Sequence, residues 1–403
     1  MKKIDSDFYQ SFLSIGKRIK GPTGLRVNMA LAAMQHEQLE GELQGDLPVV
    51  WSSPLVPSEI MYSFGISSVT PETVAAFLTA AGKGGTLLQA ATSTLAAENC
   101  CSFQRVAIAA LQEELVPVPL AFIAASAICD DNPKMSDFLS QHYDRKYFLL
   151  DIPATSDQAA LTYMIEQLRE LVRFLEELTG KTFSPERLSE AVAESNRTRD
   201  HWLAANLLRR QCPPVIYGVA PLRMAGGLLL QKLGSPVLTN AMADYVTEIT
   251  ERIDKADFIP CRHRLLWLHL FPLFDGKFMP YIEKELGMVV VFEESSHVWW
   301  DAINPQDPLP GLARRMLNAP LGGTAKRRLD AIKKLLNDYQ VDAVINFSHI
   351  GCKSLTGSAT FVGRAMREAN IPFLDLNGDC LDNRSPATAQ WRSRLEAFSE
   401  MLG

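Results

Sequence analysis

The sequence predicts an α/β protein with two doubly wound parallel-sheet domains and a helical connector between them. Toward both ends of the chain, apolar runs of about four to eight residues alternate with stretches of helical periodicity, which is typical of strands buried on both faces of a parallel sheet. In the middle of the chain only the helical periodicity is present. The length of 403 residues, at about 150 residues per domain, is enough for two or three domains.

The composition is that of an ordinary folded protein, with 47% hydrophobic and 21% charged residues. Forty Lys and Arg against 46 Asp and Glu give a net charge of -6, so we expect no nucleic-acid partner. Met1–Tyr9 is charged and leads into no apolar run, so no secretion signal is predicted. The most apolar stretch, Val116–Ile128, is short and interrupted by proline, which predicts a cytoplasmic protein without membrane association.

The alternation of strands and helices is clearest in the last third of the chain. The predicted strands there are Arg264–Leu270, Met288–Phe292, Val341–Phe347 and Pro372–Leu376. The predicted helices are Met279–Leu286, Ala325–Tyr339, Ser358–Ala369 and Thr388–Leu402. A chain that alternates in this way forms a doubly wound sheet of the flavodoxin or Rossmann type.

The first half repeats the pattern less regularly. Its predicted strands are Leu47–Ser52, Thr86–Ala91, Pro119–Ser126 and Lys146–Leu150, and its predicted helices are Ser58–Phe64, Pro71–Ala81 and Phe103–Glu114. Between the two halves, one helix ends at Gly180 and a second begins at Ser184-Pro185, a capping residue followed by proline. The predicted division is an N-terminal helical segment 1–45, a first α/β domain 46–155, a connector 156–260 and a second α/β domain 261–403.

Thiols follow several of the predicted strands. In an open parallel sheet, functional side chains gather in the loops that leave the carboxyl ends of the strands. Thr86–Ala91 leads to the Cys100-Cys101 pair, Pro119–Ser126 to Cys129, and Val341–Phe347 to His349 and Cys352. These thiols belong to two predicted domains, so they could meet across an interdomain cleft.

The chain has seven cysteines, and none forms a C-x-x-C pair. Thiolates gathered from distant segments suit a soft metal, as an iron-sulfur cluster or zinc. A cubane cluster held by three cysteines would leave one iron without a protein ligand, and this iron could act as a Lewis acid. For any single cysteine the alternative is a small buried hydrophobic residue.

Five segments, in order along the chain, resemble the benzoyl-CoA reductase and 2-hydroxyacyl-CoA dehydratase family, which includes the subunits of 2-hydroxyglutaryl-CoA dehydratase. They carry a Pro-x-Glu helix that leads to Gly65, a Cys-Ser-Phe-x-Arg motif, a Cys-Asp motif, a His-x-Gly-Cys motif and a Gly-Asp-Cys tail. The segments are Val56–Ile60, Cys101–Arg105, Ile128–Met135, His349–Lys353 and Ile371–Phe398. The resemblance extends from about residue 47 to the carboxyl end.

The resemblance implies an α/β subunit in which Cys101, Cys129 and Cys352 hold a [4Fe-4S] cluster. Cys100 stays an alternative to Cys101, which we favour because Ser-Phe-x-Arg follows it. Glu59 and Ser53, in and before the Pro-x-Glu helix, are the candidate catalytic residues. For Glu59 the alternative is a structural carboxylate that the helix dipole favours.

The resemblance also implies partners and a reaction. The partners are a sister subunit of the same family, an ATP-dependent iron-sulfur activator protein that delivers one electron at low potential, and an acyl-CoA substrate. The implied reaction is an anaerobic lyase reaction, in which a ketyl radical anion of a 2-hydroxyacyl-CoA expels water and gives an enoyl-CoA. The alternatives are a reductase of aromatic acyl-CoA, a non-catalytic electron-relay or partner subunit, and a zinc or thiol protein.

Three further cysteines, Cys212, Cys261 and Cys380, are predicted to be structural thiols. His349 is predicted either to make a hydrogen bond near the cluster or to be an ordinary histidine of the core or surface. A branch of the family with a double cluster is disfavoured, because the loop after the first predicted strand contains no cysteine.

Overall fold

The computed structural model describes Leu25 and residues 48–94, 97–218, 231–384 and 388–403. The predicted N-terminal helical segment 1–45 lies outside the described residues, apart from Leu25.

The first sheet has four parallel strands in the order β2-β1-β3-β4. The strands are β1 (Val49–Ser52), β2 (Ser67–Val69), β3 (Ala121–Ala125) and β4 (Lys146–Leu150). The helices of this part of the chain are α1 (Ser58–Phe64), α2 (Pro71–Ala80), α3 (Gly84–Thr94), α4 (Ser102–Gln112) and α5 (Asp131–His142). The order places β1 and β3 side by side at the centre, which is the position where loops of doubly wound sheets form binding sites.

The second sheet repeats this topology in the order β6-β5-β7-β8. Its strands are β5 (His263–His269), β6 (Met288–Glu293), β7 (Ala343–His349) and β8 (Phe373–Gly378). All neighbouring strands are parallel. The prediction of two doubly wound parallel sheets is therefore confirmed.

One group of helices forms the chain segment between the two sheets, and a second group alternates in sequence with the later strands of the second sheet. The first group is α6 (Gln158–Thr179), α7 (Pro185–Leu208) and α8 (Pro236–Asp254), and the second is α9 (Pro308–Leu317), α10 (Ala325–Asp338), α11 (Lys353–Glu368) and α12 (Thr388–Leu402). The Asp157 side chain caps α6, and Gly180 ends this helix in a left-handed conformation with a φ of 67°. The Ser184 side chain caps α7, as its sequence predicts. The exact division into four segments stays a prediction.

One predicted strand is wrong. Thr86–Ala91 lies within helix α3, where Leu87, Leu88 and Ala91 are buried at helical spacing. A short apolar run fits a strand and a buried helix equally well, so the pattern alone could not separate the two. The remaining strand of the first sheet is instead β2, a polar Ser-Ser-Val segment with no apolar run. Cys101 therefore follows a helix and not a strand.

The two sheets share a core. One continuous cluster of buried side chains contains Trp51 and Phe122 from the first sheet and Trp267 and Ile345 from the second. Helix α9 also packs on α6, which brings the second half of the chain onto the first. Within the described residues, no helix combines the length and the apolar character needed to cross a membrane.

Candidate functional site

The three predicted cluster cysteines each lie at the amino end of a helix. Cys129 lies in the loop between β3 and α5, Cys352 between β7 and α11, and Cys101 directly before α4. β3 and β7 are central strands, so Cys129 and Cys352 lie in the loops where doubly wound sheets bind ligands. The partial positive charge at a helix amino end favours the thiolate form of a nearby cysteine.

Hydrogen bonds and close packing hold the three loops against one another. The Asp131 carboxylate, beside the Cys129 loop, accepts a hydrogen bond of 2.8 Å from the Cys101 backbone N–H. The Ser102 hydroxyl donates a 2.7 Å hydrogen bond to Asp379, which follows β8. Gly351 packs so tightly on Cys101 that an added Cβ would lie 2.5 Å from the Cys101 Cα. The loops after β3, β7 and β8 therefore converge on Cys101.

Burial and neighbouring groups disfavour the charged form of all three thiols. Burial raises the pKa of Cys101 well above its ordinary value, and negative charge at Cys129 and Cys352 would raise it further. Hydrogen bonds from the backbone N–H groups of Phe103 and Gln104 lower it in part. Burial also raises the pKa of Cys129, and the negative charge of Glu72 raises it further. Burial also raises the pKa of Cys352, opposed by the Leu355 backbone and the Arg328 guanidinium. A metal would have to displace the thiol protons, and a bound metal does this.

In the part of the chain that the structure describes, no group of three or more His, Cys, Asp or Glu side chains is arranged so that it could hold a metal ion. The fit of a cluster is therefore judged on the donor set itself. Three thiols lie on three converging loops, and backbone N–H groups at helix ends face each of them. Soft thiolate donors with N–H groups toward the sulfur are the ligand chemistry of iron-sulfur clusters, so the residues fit this group.

The other cysteines differ in their surroundings. Cys101 is buried, whereas the neighbouring Cys100 is only partly buried, and Cys101 interacts with the other two thiols. Cys380 is completely buried, and its pKa is raised by burial, then by Asp379 and by the thiols of Cys101 and Cys352. Cys212 is exposed. Cys380 therefore belongs to the surroundings of the three thiols, and the choice of Cys101 over Cys100 as a ligand stays a prediction.

Glu59 is completely buried and makes a two-pronged ion pair with Arg315 of α9, at 2.6 and 2.8 Å. The Ser195 hydroxyl of α7 donates a further hydrogen bond of 2.6 Å to the same carboxylate. Burial by itself would raise the pKa of Glu59, but Arg315 and Ser195 outweigh it and hold the pKa below its ordinary value. The structure thus places Glu59 between three helices, and its catalytic role stays a prediction.

Ser53, unlike Glu59, is connected to one of the three thiols by hydrogen bonds. Its hydroxyl donates to the Asn132 side chain at 2.6 Å and accepts from the Ala125 backbone N–H at 2.9 Å. The Asn132 backbone N–H in turn donates to the Cys129 sulfur at 3.3 Å. Ser53 therefore supports the residue that contacts Cys129, while a contact to substrate stays a prediction.

Sequence reasoning missed Glu72, a buried carboxyl near Cys129. Its Oε1 accepts hydrogen bonds from Gln104 at 2.7 Å and Asn132 at 3.2 Å, whereas its buried Oε2 makes none among the described residues. Burial raises the pKa of Glu72, against hydrogen bonds that favour its charged form. In the sequence, Glu72 follows proline at the start of α2, so it is indistinguishable from an ordinary first-turn carboxylate.

Replacing Gly351 with alanine is expected to destabilise the protein by about 1–3 kcal/mol, because the new Cβ would meet the backbone of Cys101 and not a movable side chain. Urea unfolding of the purified chain measures this change. The matched control is Gly357→Ala in α11, where nothing lies within 4 Å of an added Cβ. There alanine is expected to leave stability unchanged or raise it slightly, since it favours the helix. Equal stability of the two variants would contradict the close packing of the Cys352 loop on Cys101.

The fold and the site together define an α/β protein in which thiols gather at the contact of two doubly wound sheets. The profile of the family described as 2-hydroxyglutaryl-CoA dehydratase, D-component, matches residues 55–402, so this chain belongs to that family. The family resemblance predicted from the five motifs is thereby confirmed.

Several relatives are similar over almost the whole chain. The (R)-phenyllactyl-CoA dehydratase alpha subunit of Clostridium sporogenes is 23% identical, with 90% of this chain and 91% of the relative covered. The lactoyl-CoA dehydratase subunit alpha of Anaerotignum propionicum is 22% identical, with 94% and 97% covered. A benzoyl-CoA reductase subunit of Thauera aromatica is also 22% identical, with 92% and 93% covered.

Proposed function

We propose that this chain is the iron-sulfur subunit of a 2-hydroxyacyl-CoA dehydratase, with a [4Fe-4S] cluster held by Cys101, Cys129 and Cys352. The observation that carries the proposal is the convergence of three cysteine loops at helix amino ends. Asp131, beside Cys129, accepts a 2.8 Å hydrogen bond from the Cys101 backbone N–H, and Gly351, beside Cys352, packs directly on the Cys101 backbone. Membership of the dehydratase family and the dehydratase names of the relatives support it.

In this proposal the protein binds, orients and shields the cluster. When bound, the cluster would lend one electron to the thioester carbonyl of the substrate and take it back after the 2-hydroxyl group and a β-proton have left, so that only water is eliminated overall. The helix amino ends stabilise the negative charge of the thiolates. Asp131 and Gly351 keep the Cys101 backbone fixed between the neighbouring loops. The shared core of the two sheets, to which Cys101 belongs, keeps water away from the Cys101 side chain.

The two predicted catalytic residues have different parts in the proposal. A contact between Glu59 and substrate would require its carboxylate to leave Arg315 and Ser195, so we propose that Glu59 positions α1 against α7 and α9. Ser53 stays the candidate for a polar contact near Cys129, to which Asn132 connects it.

The proposal includes two protein partners. The relatives that are named as alpha subunits support a sister subunit of the same family. An ATP-dependent activator protein that delivers the electron belongs to the proposal because a low-potential electron has to reach the cluster from outside the chain.

The test is anaerobic co-purification of the chain with its sister subunit, followed by measurement of iron, acid-labile sulfide and visible absorption. We expect brown protein with about four irons per chain at this site. After addition of the activator, ATP and a reductant, a panel of 2-hydroxyacyl-CoA compounds should yield enoyl-CoA. Colourless, zinc-loaded protein would exclude the cluster. A full cluster without turnover of any substrate would instead favour the electron-relay subunit.

A second candidate is a reductase of aromatic acyl-CoA, and the match to a benzoyl-CoA reductase chain favours it. The same preparation separates the two functions when an aromatic acyl-CoA is added to the panel. Consumption of the aromatic thioester without elimination of water from any 2-hydroxyacyl-CoA would select the reductase.

A further inference from the structure

His349 lies at the end of β7, completely buried, between Cys101 and Cys380. Its Nε2 is 3.4 Å from the Cys101 sulfur. Its Nδ1 is 3.2 Å from the backbone nitrogen of Cys380. The ring of Phe103 packs edge-on against the imidazole, with 5.5 Å between ring centroids, so both ring nitrogens keep fixed neighbours.

These two contacts define where the imidazole carries its proton. A backbone N–H can only donate a hydrogen bond, so Nδ1 of His349 accepts from Cys380 and carries no proton itself. A proton on Nδ1 would place two donors against each other. The hydrogen-bond geometry therefore assigns the proton of the neutral ring to Nε2, which faces the Cys101 sulfur.

We propose that His349 is a positioning residue that donates its Nε2–H to the Cys101 sulfur and thereby raises the reduction potential of the cluster. The inference rests on the proposed function, since it presumes that Cys101 ligates a cluster. A hydrogen bond from a neutral ring to a ligating sulfur withdraws negative charge from the sulfur, and such hydrogen bonds are among the factors that set cluster potentials. His349 would then make the cluster easier to reduce than the thiolates alone would allow.

Two amide substitutions separate the two hydrogen bonds of His349. In His349→Asn the side-chain oxygen can replace Nδ1 and accept from Cys380, but the shorter side chain does not reach the sulfur. In His349→Gln the amide nitrogen can replace Nε2 and donate to Cys101. His349→Leu removes both hydrogen bonds.

Redox titration of anaerobic protein, followed by electron paramagnetic resonance, measures the effect in the presence of the sister subunit. At a fixed potential we expect the ratio of reduced to oxidised cluster to fall about tenfold in the Asn and Leu variants, equivalent to a midpoint about 59 mV lower for one electron. The Gln variant should stay close to the unsubstituted protein. An unchanged potential in Asn and Leu, or a Gln variant that falls with them, would overturn the role of His349.

A second measurement does not depend on the folding of any variant. In protein labelled with ¹⁵N-histidine, pulsed electron paramagnetic resonance of the reduced cluster should detect a coupled histidine nitrogen and an exchangeable proton. A cluster without this coupling would refute the hydrogen bond and leave the proposed function intact. Failure of the unsubstituted protein to bind any cluster would instead contradict the proposed function itself.

Discussion

Replacing Cys352 with alanine is expected to lower the iron content of anaerobically purified protein by more than about tenfold, because it removes a direct ligand of the proposed cluster. Loss even of an outer residue at a metal site typically costs about 10- to 100-fold in metal affinity, and loss of a ligand costs at least as much. Cys101→Ala and Cys129→Ala should behave in the same way. Iron and acid-labile sulfide per chain, together with visible absorption, measure the effect.

The matched control is Cys212→Ala, since Cys212 is exposed and lies outside the converging loops. Its iron content should equal that of the unsubstituted protein, as should that of Cys100→Ala. If iron falls in Cys100→Ala but not in Cys101→Ala, the assignment within this pair is reversed. Equal iron in Cys352→Ala and Cys212→Ala would refute the ligand set.

Cys380→Ala tests whether the proposed cluster has an open iron. Cys380 is completely buried, and its backbone N–H lies 3.2 Å from the Nδ1 of His349, whose Nε2 contacts the Cys101 sulfur. With three protein ligands, this variant should keep its iron, because Cys380 contributes only packing and its backbone N–H to His349. Loss of iron in Cys380→Ala would show four protein ligands, which is typical of a cluster that only relays electrons.

The fold could be predicted from the sequence where strands are continuous apolar runs. β6 is buried along its whole length, and all but its last residue are apolar. β7 is equally buried, and its apolar start, Ala343–Ile345, was enough to predict it although Asn346, Ser348 and His349 are polar. The prediction failed where this relation breaks down. Residues 86–91 are apolar but helical, and β2 is a polar edge strand of three residues whose place depends on its pairing with β1. Local periodicity contains no information on such pairing.

The candidate site could be predicted in part for the same reason. Cys129 and Cys352 follow central strands, so the predicted strand ends pointed to them correctly. Cys101 was also placed after a predicted strand, but that segment, Thr86–Ala91, is helical, so only its motif supports the placement. The ion pair of Glu59 joins residues 256 positions apart, and the contact of His349 with Cys101 spans 248 positions. Contacts of this kind arise only when the two sheets pack together, so no spacing within the sequence predicts them.

Replacing Glu59 with alanine is expected to lower the free energy of unfolding by about 3–5 kcal/mol at neutral pH, because it leaves the buried guanidinium of Arg315 without its charge partner. Urea unfolding measures the loss. The pKa of Glu59 lies below its ordinary value of 4.5, so the folded state favours the charged carboxylate. The contribution of Glu59 is therefore complete above pH 4.5 and disappears as the pH falls through the folded pKa. The difference between the two proteins should accordingly shrink in acid.

The matched control is Glu166→Ala. Glu166 and its partner Arg169 are both about half exposed, so loss of this ion pair should lower the free energy of unfolding by less than about 1 kcal/mol. The double substitution Glu59→Ala with Arg315→Met removes both charges and should recover most of the stability. This variant also separates the two roles of Glu59. If activity returns together with stability, Glu59 positions the helices, because a packed apolar pair can then replace it. If the double variant is stable but inactive, the carboxylate itself is needed, and the positioning role proposed for Glu59 is wrong.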